Sequence, residues 1–519
     1  MVKQKRKVKP AMKLLGMIVV VGVIFGAIWW ATDGNIGKTL VPKKDGERTV
    51  KRDKTKTSDD VLTIDVGVVT WGGYAGGQYF NRGFKANEKS EFYKRYGFYV
   101  NFVVLDDFDA SRAAFKNGSV DLLWGTIDAV PCEFGRKGGL ASYKPKVVFQ
   151  ADWSRGGDAV VATRLIKNVA DLKGKKIAVA EMTPSHTFLI WLLESAGLTM
   201  NDVTLIKVAS AMDAAARFKD GKVDAAVVWS PDDDDCINTV NGSWVLQSTK
   251  NAKYIIADIF FAKEEFLTQY ATQIDQFVEG WLLGSSQVNS SDLVKQEAAE
   301  ILEIGLGMDY EFCYNAINNV RLCTKGDNEN FFKLNRDYTG ISGEELYTKM
   351  SSKYTDLGYA DNPLSWREIA YKTSIRNLSL SGNQHLAEAT TKFKKASKEL
   401  ETKEAISSKS VTITFATNSY VLDDNAKYII DREMVDLAKM FEVRVRLEGN
   451  SDNVGDRNYN IKLSRKRAQA VADYLVQDHH IDRNRFIVLG VGPDNPIADN
   501  STLAGRAKNR RTDFELVSD

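Results

Sequence analysis

Cysteine and histidine are scarce in this chain of 519 residues, with four of each. Four cysteines (Cys132, Cys236, Cys313 and Cys323) exclude a disulfide scaffold, and no spacing among them reads as zinc. The histidines (His186, His385, His479 and His480) are too few for a histidine-rich metal centre and leave histidine-based catalysis few candidates. Charge of one sign is missing too: 70 Lys and Arg face 68 Asp and Glu, a net of +2. No whole-chain basic field exists to gather phosphates, so no nucleic-acid partner is expected. What is present is ordinary globular material, 44% hydrophobic and 27% charged, enough for two to four domains.

The N-terminus is organised differently. Residues 1–13 hold Lys3, Lys5, Arg6, Lys7, Lys9 and Lys13 with no acid, and residues 14–31 then run uncharged as LLGMIVVVGVIFGAIWWA. At 1.5 Å per residue this segment reaches roughly 27 Å, close to the hydrocarbon core of a bilayer. Trp29 and Trp30 suit the far interface, and the basic flank places the N-terminus in the cytoplasm. A cleaved secretory signal is the alternative, opposed by the length and by the missing small-x-small cleavage site. The expectation is a retained single-pass signal anchor in the inner membrane with the bulk of the chain periplasmic. The segment holds no ionisable residue, which opposes proton conduction and leaves anchorage as its role. Residues 32–60 read as a lysine-rich flexible tether. The basic tail contributes +6 and the tether +2, so residues 61–519 carry −6. The near-neutral total is a cancellation that records topology.

From residue 61 short β-rich runs alternate with amphipathic stretches, predicting βαβ units and a mostly parallel sheet. Strands are expected at 62–69, 99–105, 120–125, 146–152, 159–163, 176–180, 204–209 and 225–229. Helices are expected near 78–95, 109–117, 185–196 and 211–219, with 260–378 largely helical. Residues 380–409 form a charged linker, expected to be flexible or helical. A compact α+β module then fills 410–519, with strands at 411–417, 443–449, 485–492 and 512–518 and helices at 425–441 and 458–477.

This last module carries Gly449-Asn450-Ser451-Asp452-Asn453-Val454-Gly455, then Asn460 to Ala468 as NIKLSRKRA, then Gly490-Val491-Gly492 and Gly505-Arg506-Ala507-Lys508-Asn509-Arg510-Arg511. In that order these resemble the OmpA C-terminal family. The resemblance implies non-covalent binding to the diaminopimelate of peptidoglycan stem peptides, with Asp452 and Arg467 at the ligand-binding positions and Asn450 and Asn460 beside them. The chemistry agrees: an ammonium and a carboxylate on one carbon call for one acid and one forked donor. Asn450 and Ser451 stand where the family usually has histidine and threonine. Arg510 and Arg511 are given no role.

Residues 61–379 (second lobe roughly 151–250) resemble the periplasmic substrate-binding proteins of ABC importers, of the group taking nitrate, sulfonates and thiamine precursors. The pieces that carry it are VVTWGGYAGG (68–77), KNGSVDLLWGTIDAV (116–130), DLKGKKIAVAEMTPSHTFLIWLLESAGLTMNDV (171–203) and FKDGKVDAAVVWSPD (218–232). The implied fold is a type II two-lobed receptor, α/β in class, with the ligand between the lobes beyond the strand ends. Thr183 is placed as an N-cap with Pro184 at the first helical position, and Ser185 and His186 follow. Trp71, Tyr74, Trp124, Asp128, Asp152, Trp153 and Trp229 gather at the other loops. Indoles with carboxylates favour a cationic or aromatic solute and point away from nitrate. The aspartates 232–235 lack the glycine and glutamate spacing of an EF-hand.

The expected protein is thus no enzyme and needs no cofactor or metal. It binds a small solute in its middle and peptidoglycan at its end, serving as transport receptor or sensor beside an ABC importer or other membrane complex. The alternative is a stator-like or structural linker from membrane to wall. Neighbouring Ser185 and His186 invite a nucleophile reading, but side chains adjacent at a helix start diverge.

Overall fold

The computed structural model describes residues 61–135, 139–416 and 418–519, so the basic tail, the membrane segment and the tether lie outside the described residues. Among the described residues no helix is long and apolar enough to cross a membrane.

The middle of the chain folds as two lobes. β1 (Thr63–Val68), β2 (Tyr99–Val104), β3 (Leu122–Thr126) and β4 (Pro145–Ser154) begin the first. β5 (Asp158–Ala162), β6 (Lys176–Ala180), β7 (Thr204–Val208), β8 (Ala225–Trp229) and β9 (Trp244–Ser248) make the second. β10 (Ala257–Lys263) and β11 (Val320–Leu322) return to the first, giving a six-stranded sheet ordered β11-β4-β10-β3-β1-β2 and a five-stranded sheet ordered β7-β6-β8-β5-β9. β3 and β5 are buried on both faces, which is why they read as apolar runs rather than as alternations.

The sheets are mixed, correcting the expectation of a mostly parallel one. β1 pairs with β2 and β3, and β6 with β7 and β8, in parallel, whereas β10 runs antiparallel to β3 and β4, and β5 antiparallel to β8 and β9. The strands that carry the chain between lobes run against the βαβ strands. The helix expected over 78–95 divides into Ala75–Phe80 and Glu91–Tyr96. Buried Asn81 binds Gly83 O at 2.9 Å and Val100 O at 3.1 Å and holds the intervening loop. All four cysteines are buried and none forms a disulfide, which answers the open question of a Cys313–Cys323 bridge in the negative.

The C-terminal sheet is ordered β12-β15-β13-β14, from β12 (Ser407–Val411), β13 (Arg444–Asn450), β14 (Phe486–Gly492) and β15 (Thr512–Val517). The strand expected at 411–417 instead starts at Ser407 and stops at Val411. Its register with β15 runs out at the pair Val411 and Thr512, and residues 412–415 are left to line a pocket. The helix Arg457–Gln477 packs over β13 and β14. A Cβ on Gly449 would lie 2.1 Å from Ser464 O and one on Gly490 2.5 Å from Ile461 O, so those strand ends admit only glycine.

The linker is neither free nor α-helical. It runs extended with two short turns, Asn383–His385 and Lys398–Glu401. Thr324 Oγ1 donates to Leu386 O (2.8 Å), Asp327 Oδ1 accepts from Glu388 N (2.7 Å), Arg444 Nη1 donates to Lys394 O (2.6 Å) and Arg446 Nη1 to Lys403 O (2.8 Å). The C-terminal domain docks on the two-lobed domain. Tyr254 N donates to Met440 O (3.2 Å) and Glu442 N to Asn251 O (2.8 Å). Lys253 pairs with Glu442, Lys349 with Asp436, and Lys353 and Lys409 with Glu194. Val169 N donates to Ile406 O on the second lobe.

Candidate functional sites

The pocket beside β13 measures about 190 Å³ and is lined by residues 412–415, Gly449, Asn450, Arg467, Ala507, Arg510, Arg511 and Thr512. The loop after β13 brings Asp452 to its rim. Asp452 Oδ1 accepts from Val454 N (3.1 Å), and Oδ2 pairs with Arg510 Nη1 (2.6 Å). Asn460 Nδ2 donates to Val454 O (2.9 Å) and fastens this loop to the long helix. Arg467 projects from that helix with its Nε on Ser419 O (3.0 Å) and its guanidinium 5.0 Å from the Phe415 ring. Burial first, then nearby Arg510, lowers the Arg467 pKa, while Asp452 opposes the shift.

Asp452 and Arg467 therefore flank one pocket, but the ion pair belongs to Arg510, which the sequence reading left without a role. Asn450 is buried: its Nδ2 donates to Asp513 Oδ2 (3.0 Å), which Arg511 also holds (2.8 Å), and its Oδ1 has no partner. Three guanidiniums (Arg467, Arg510 and Arg511) against the two carboxylates paired with them (Asp452 and Asp513) give the pocket a local excess of one positive charge.

The second site lies between the lobes. Trp71 and Trp229 face each other with ring centroids 6.3 Å apart. Trp71 Nε1 donates to Asp152 Oδ2 (3.1 Å), and Trp229 Nε1 donates to Ser185 Oγ (3.1 Å). Tyr74 OH donates to Asp258 Oδ2 (2.5 Å), and Ser154 Oγ to Asp158 Oδ2 (2.7 Å). Asp128 Oδ1 accepts from Ala257 N (3.4 Å), the nearby Thr187 hydroxyl of the other lobe offsets part of the rise in the Asp128 pKa, and that hydroxyl meets Tyr354 OH at 2.8 Å. Asp128, Asp152, Asp158 and Asp258 are all buried, and desolvation is the first cause of every raised pKa: about 7 for Asp128 and Asp158, about 8 for Asp152, and well above the ordinary value for Asp258.

Several expected cleft residues lie elsewhere. Trp153 follows Asp152 on β4, so its side chain takes the opposite face and packs on Tyr254 at 5.4 Å. His186 is buried between Tyr354 and Tyr359, and its Nδ1 accepts from Met182 N (3.2 Å). Burial holds it near pKa 4 as a neutral ring, and Ser185 is bonded to Trp229 rather than to it. Thr183 occupies the N-cap but turns its hydroxyl back to Ala180 O (2.8 Å), so it caps nothing. Trp124 packs against Phe108 and Arg112. The aspartates 232–235 open the helix Asp232–Thr239, where Asp235 pairs with Lys219. Asp158 and Asp258 were missed. Their signal was a carboxylate inside an apolar strand run, GGDAVV and IADIFFA.

Comparison with known proteins agrees with both modules. Residues 414–510 match the OmpA family and residues 158–287 the NMT1/THI5-like family. The C-terminal region is 51% identical over 69 residues to Outer membrane protein A of Bordetella avium, covering 13% of this chain and 35% of that protein. It is 42% identical over 86 residues to Peptidoglycan-binding protein ArfA of Mycobacterium tuberculosis, covering 17% of this chain and 26% of that protein. The chain thus spans about a quarter to a third of the length of these relatives. The periplasmic aliphatic sulphonate binding protein of Escherichia coli superposes with a TM-score of 0.46 at 17% identity, covering 61% of this chain and all of that one.

Proposed function

We propose that this protein is a receptor of the bacterial cell envelope, held in the inner membrane by residues 14–31 and on peptidoglycan by its C-terminal domain, with a solute site between the lobes of its middle domain. The observation that carries it is one small pocket lined by Arg467 and Arg510, with Asp452 held beside it by its ion pair with Arg510. A free diaminopimelate end is a zwitterion. The planar fork of Arg467, its two terminal nitrogens left over once Nε is given to Ser419 O, donates to its carboxylate in bidentate fashion, and Asp452, with lone pairs left beyond those given to Val454 and Arg510, accepts from its ammonium. The unpartnered Asn450 Oδ1 offers an acceptor for a ligand N–H.

Co-sedimentation with isolated sacculi tests the wall reading. Wild type pellets with the wall, and both Asp452→Asn and Arg467→Ala stay in the supernatant; pelleting of both variants overturns it.

In this role the protein reports solute binding to an ABC importer or another membrane complex. The second reading, a stator-like or structural linker from membrane to wall, is favoured by the close approach of the lobes, Trp71 to Trp229 and Asp128 to Thr187. Mass spectrometry of whatever small molecule leaves the native full-length protein on unfolding separates the two: a stoichiometric solute supports the receptor, none supports the linker.

A further inference from the structure

β10 is bracketed by β3 and β4, and its pairing places Asp258 directly opposite Thr126 on one side and Asp152 on the other. Directly opposed residues share a face of the sheet, so Thr126, Asp258 and Asp152 form one row at the cleft. The second lobe repeats the device on a smaller scale, with Asp158 directly opposite Trp229. Asp128 reaches the same space from the loop after β3, near Thr187.

The row is not self-satisfied. Asp128 Oδ2, Asp152 Oδ1 and Asp158 Oδ1 are buried without a partner. The Thr126 hydroxyl, an independent polar group in the same row and only 3% exposed, has none either. Neutral carboxyls crowded together ordinarily bond one another, yet these turn to Trp71, Tyr74, Ser154 and the Ala257 N–H instead. The arginines whose charge reaches them are engaged elsewhere: Arg112 with Glu133 in a two-pronged pair (2.7 and 2.8 Å), Arg155 with Glu388 (2.7 Å). No group of three or more acids, histidines or cysteines among the described residues is arranged to hold a metal ion.

Resting on the receptor reading, we infer that the solute is an organic ammonium ion, its N–H or N–CH₃ groups directed toward Asp128, Asp152, Asp158 and Asp258 and its carbon body against the tilted indoles of Trp71 and Trp229. An ammonium supplies donors, or a diffuse positive surface, to all the orphaned oxygens at once, and the two indoles offer the π-faces that organic cations prefer. A sulfonate or nitrate would set its negative charge against carboxyls that lose their protons only near pH 7 to 8, and would raise those values further. Binding tightens with rising pH, because the cation displaces protons from carboxyls that titrate near 7 to 8. The other titratable and charged groups facing these acids are Tyr74 on Asp258, Tyr354 near Asp128, Cys323 near Asp152, Asp233 near Asp158, and the distant Arg112 and Arg155.

The test is titration of the full chain in detergent with choline and putrescine, and with taurine and nitrate as anionic counterparts, followed by thermal shift and calorimetry. Choline or putrescine is expected to raise the melting temperature, to bind at least tenfold tighter at pH 8 than at pH 6, and to lose tenfold or more in affinity in Asp152→Asn, Asp258→Asn and Trp229→Ala. The aspartate variants replace a buried acid by its neutral isostere, and Trp229→Ala touches the other lobe, so a folding defect in one does not hide the result. Stabilisation by taurine or nitrate alone overturns the ammonium assignment and leaves the receptor reading intact. Equal amine binding by wild type and all three variants overturns the assignment of these residues. No stabilisation by any probe, with no small molecule released from native protein, removes the inference and the receptor reading together.

Discussion

Asp128, Asp152 and Asp158 keep their protons to about pH 7, 8 and 7, against an unfolded value near 3.9. Groups with raised folded pKa values contribute stability that is present at low pH and lost as pH climbs through those values. His186, held near 4, contributes with the opposite sign, but its titration is over above about pH 6.5. The ligand-free protein is therefore expected to lose melting temperature between pH 6.5 and 8, and Asp152→Asn to flatten that slope. A melting temperature that rises across the window contradicts the burial of these acids. At this scale the sequence was half legible. Trp71, Tyr74, Asp128 and Trp229 stand at the cleft because strand ends and loops are readable, whereas Trp153 and His186 do not, because which face a strand residue takes depends on register. Arg510 escaped because its partner, Asp452, is 58 residues away.

Among elements, the long helix Arg457–Gln477 sets the wall pocket, since it carries Arg467 and Asn460 and rests on Gly449 and Gly490. Gly449→Ala would force Cβ into Ser464 O and is expected to destabilise the domain by about 1–3 kcal/mol, read by denaturant unfolding; an unchanged midpoint would contradict the close approach. Strands with a continuous apolar core were legible from composition. β10 was not, because ADIFFAK runs straight into the helix Glu264–Gln269 and its periodicity is submerged there. The linker was misjudged because its order comes from distant partners, Asp327, Arg444 and Arg446, that no local pattern announces.

For the whole molecule, composition and order of motifs were enough to read a two-lobed binding-protein-like fold followed by an OmpA-like domain, but not that the two dock. The docking runs through Glu194, which faces Lys353 and Lys409, and through the backbone pairing of Asn251 and Tyr254 with Glu442 and Met440. These contacts tie the C-terminal domain both to the second lobe and to the segment that returns the chain to the first. Glu194→Lys is expected to loosen the docking and enlarge the radius of gyration in small-angle scattering, and an unchanged radius would contradict that role. The central claim is attachment to the cell wall through one pocket. Calorimetric titration of the full chain with a stem tripeptide ending in diaminopimelate tests it most directly. The account predicts saturable binding that falls at least tenfold in Arg467→Ala and in Asp452→Asn; equal binding by both variants and the wild type would contradict it.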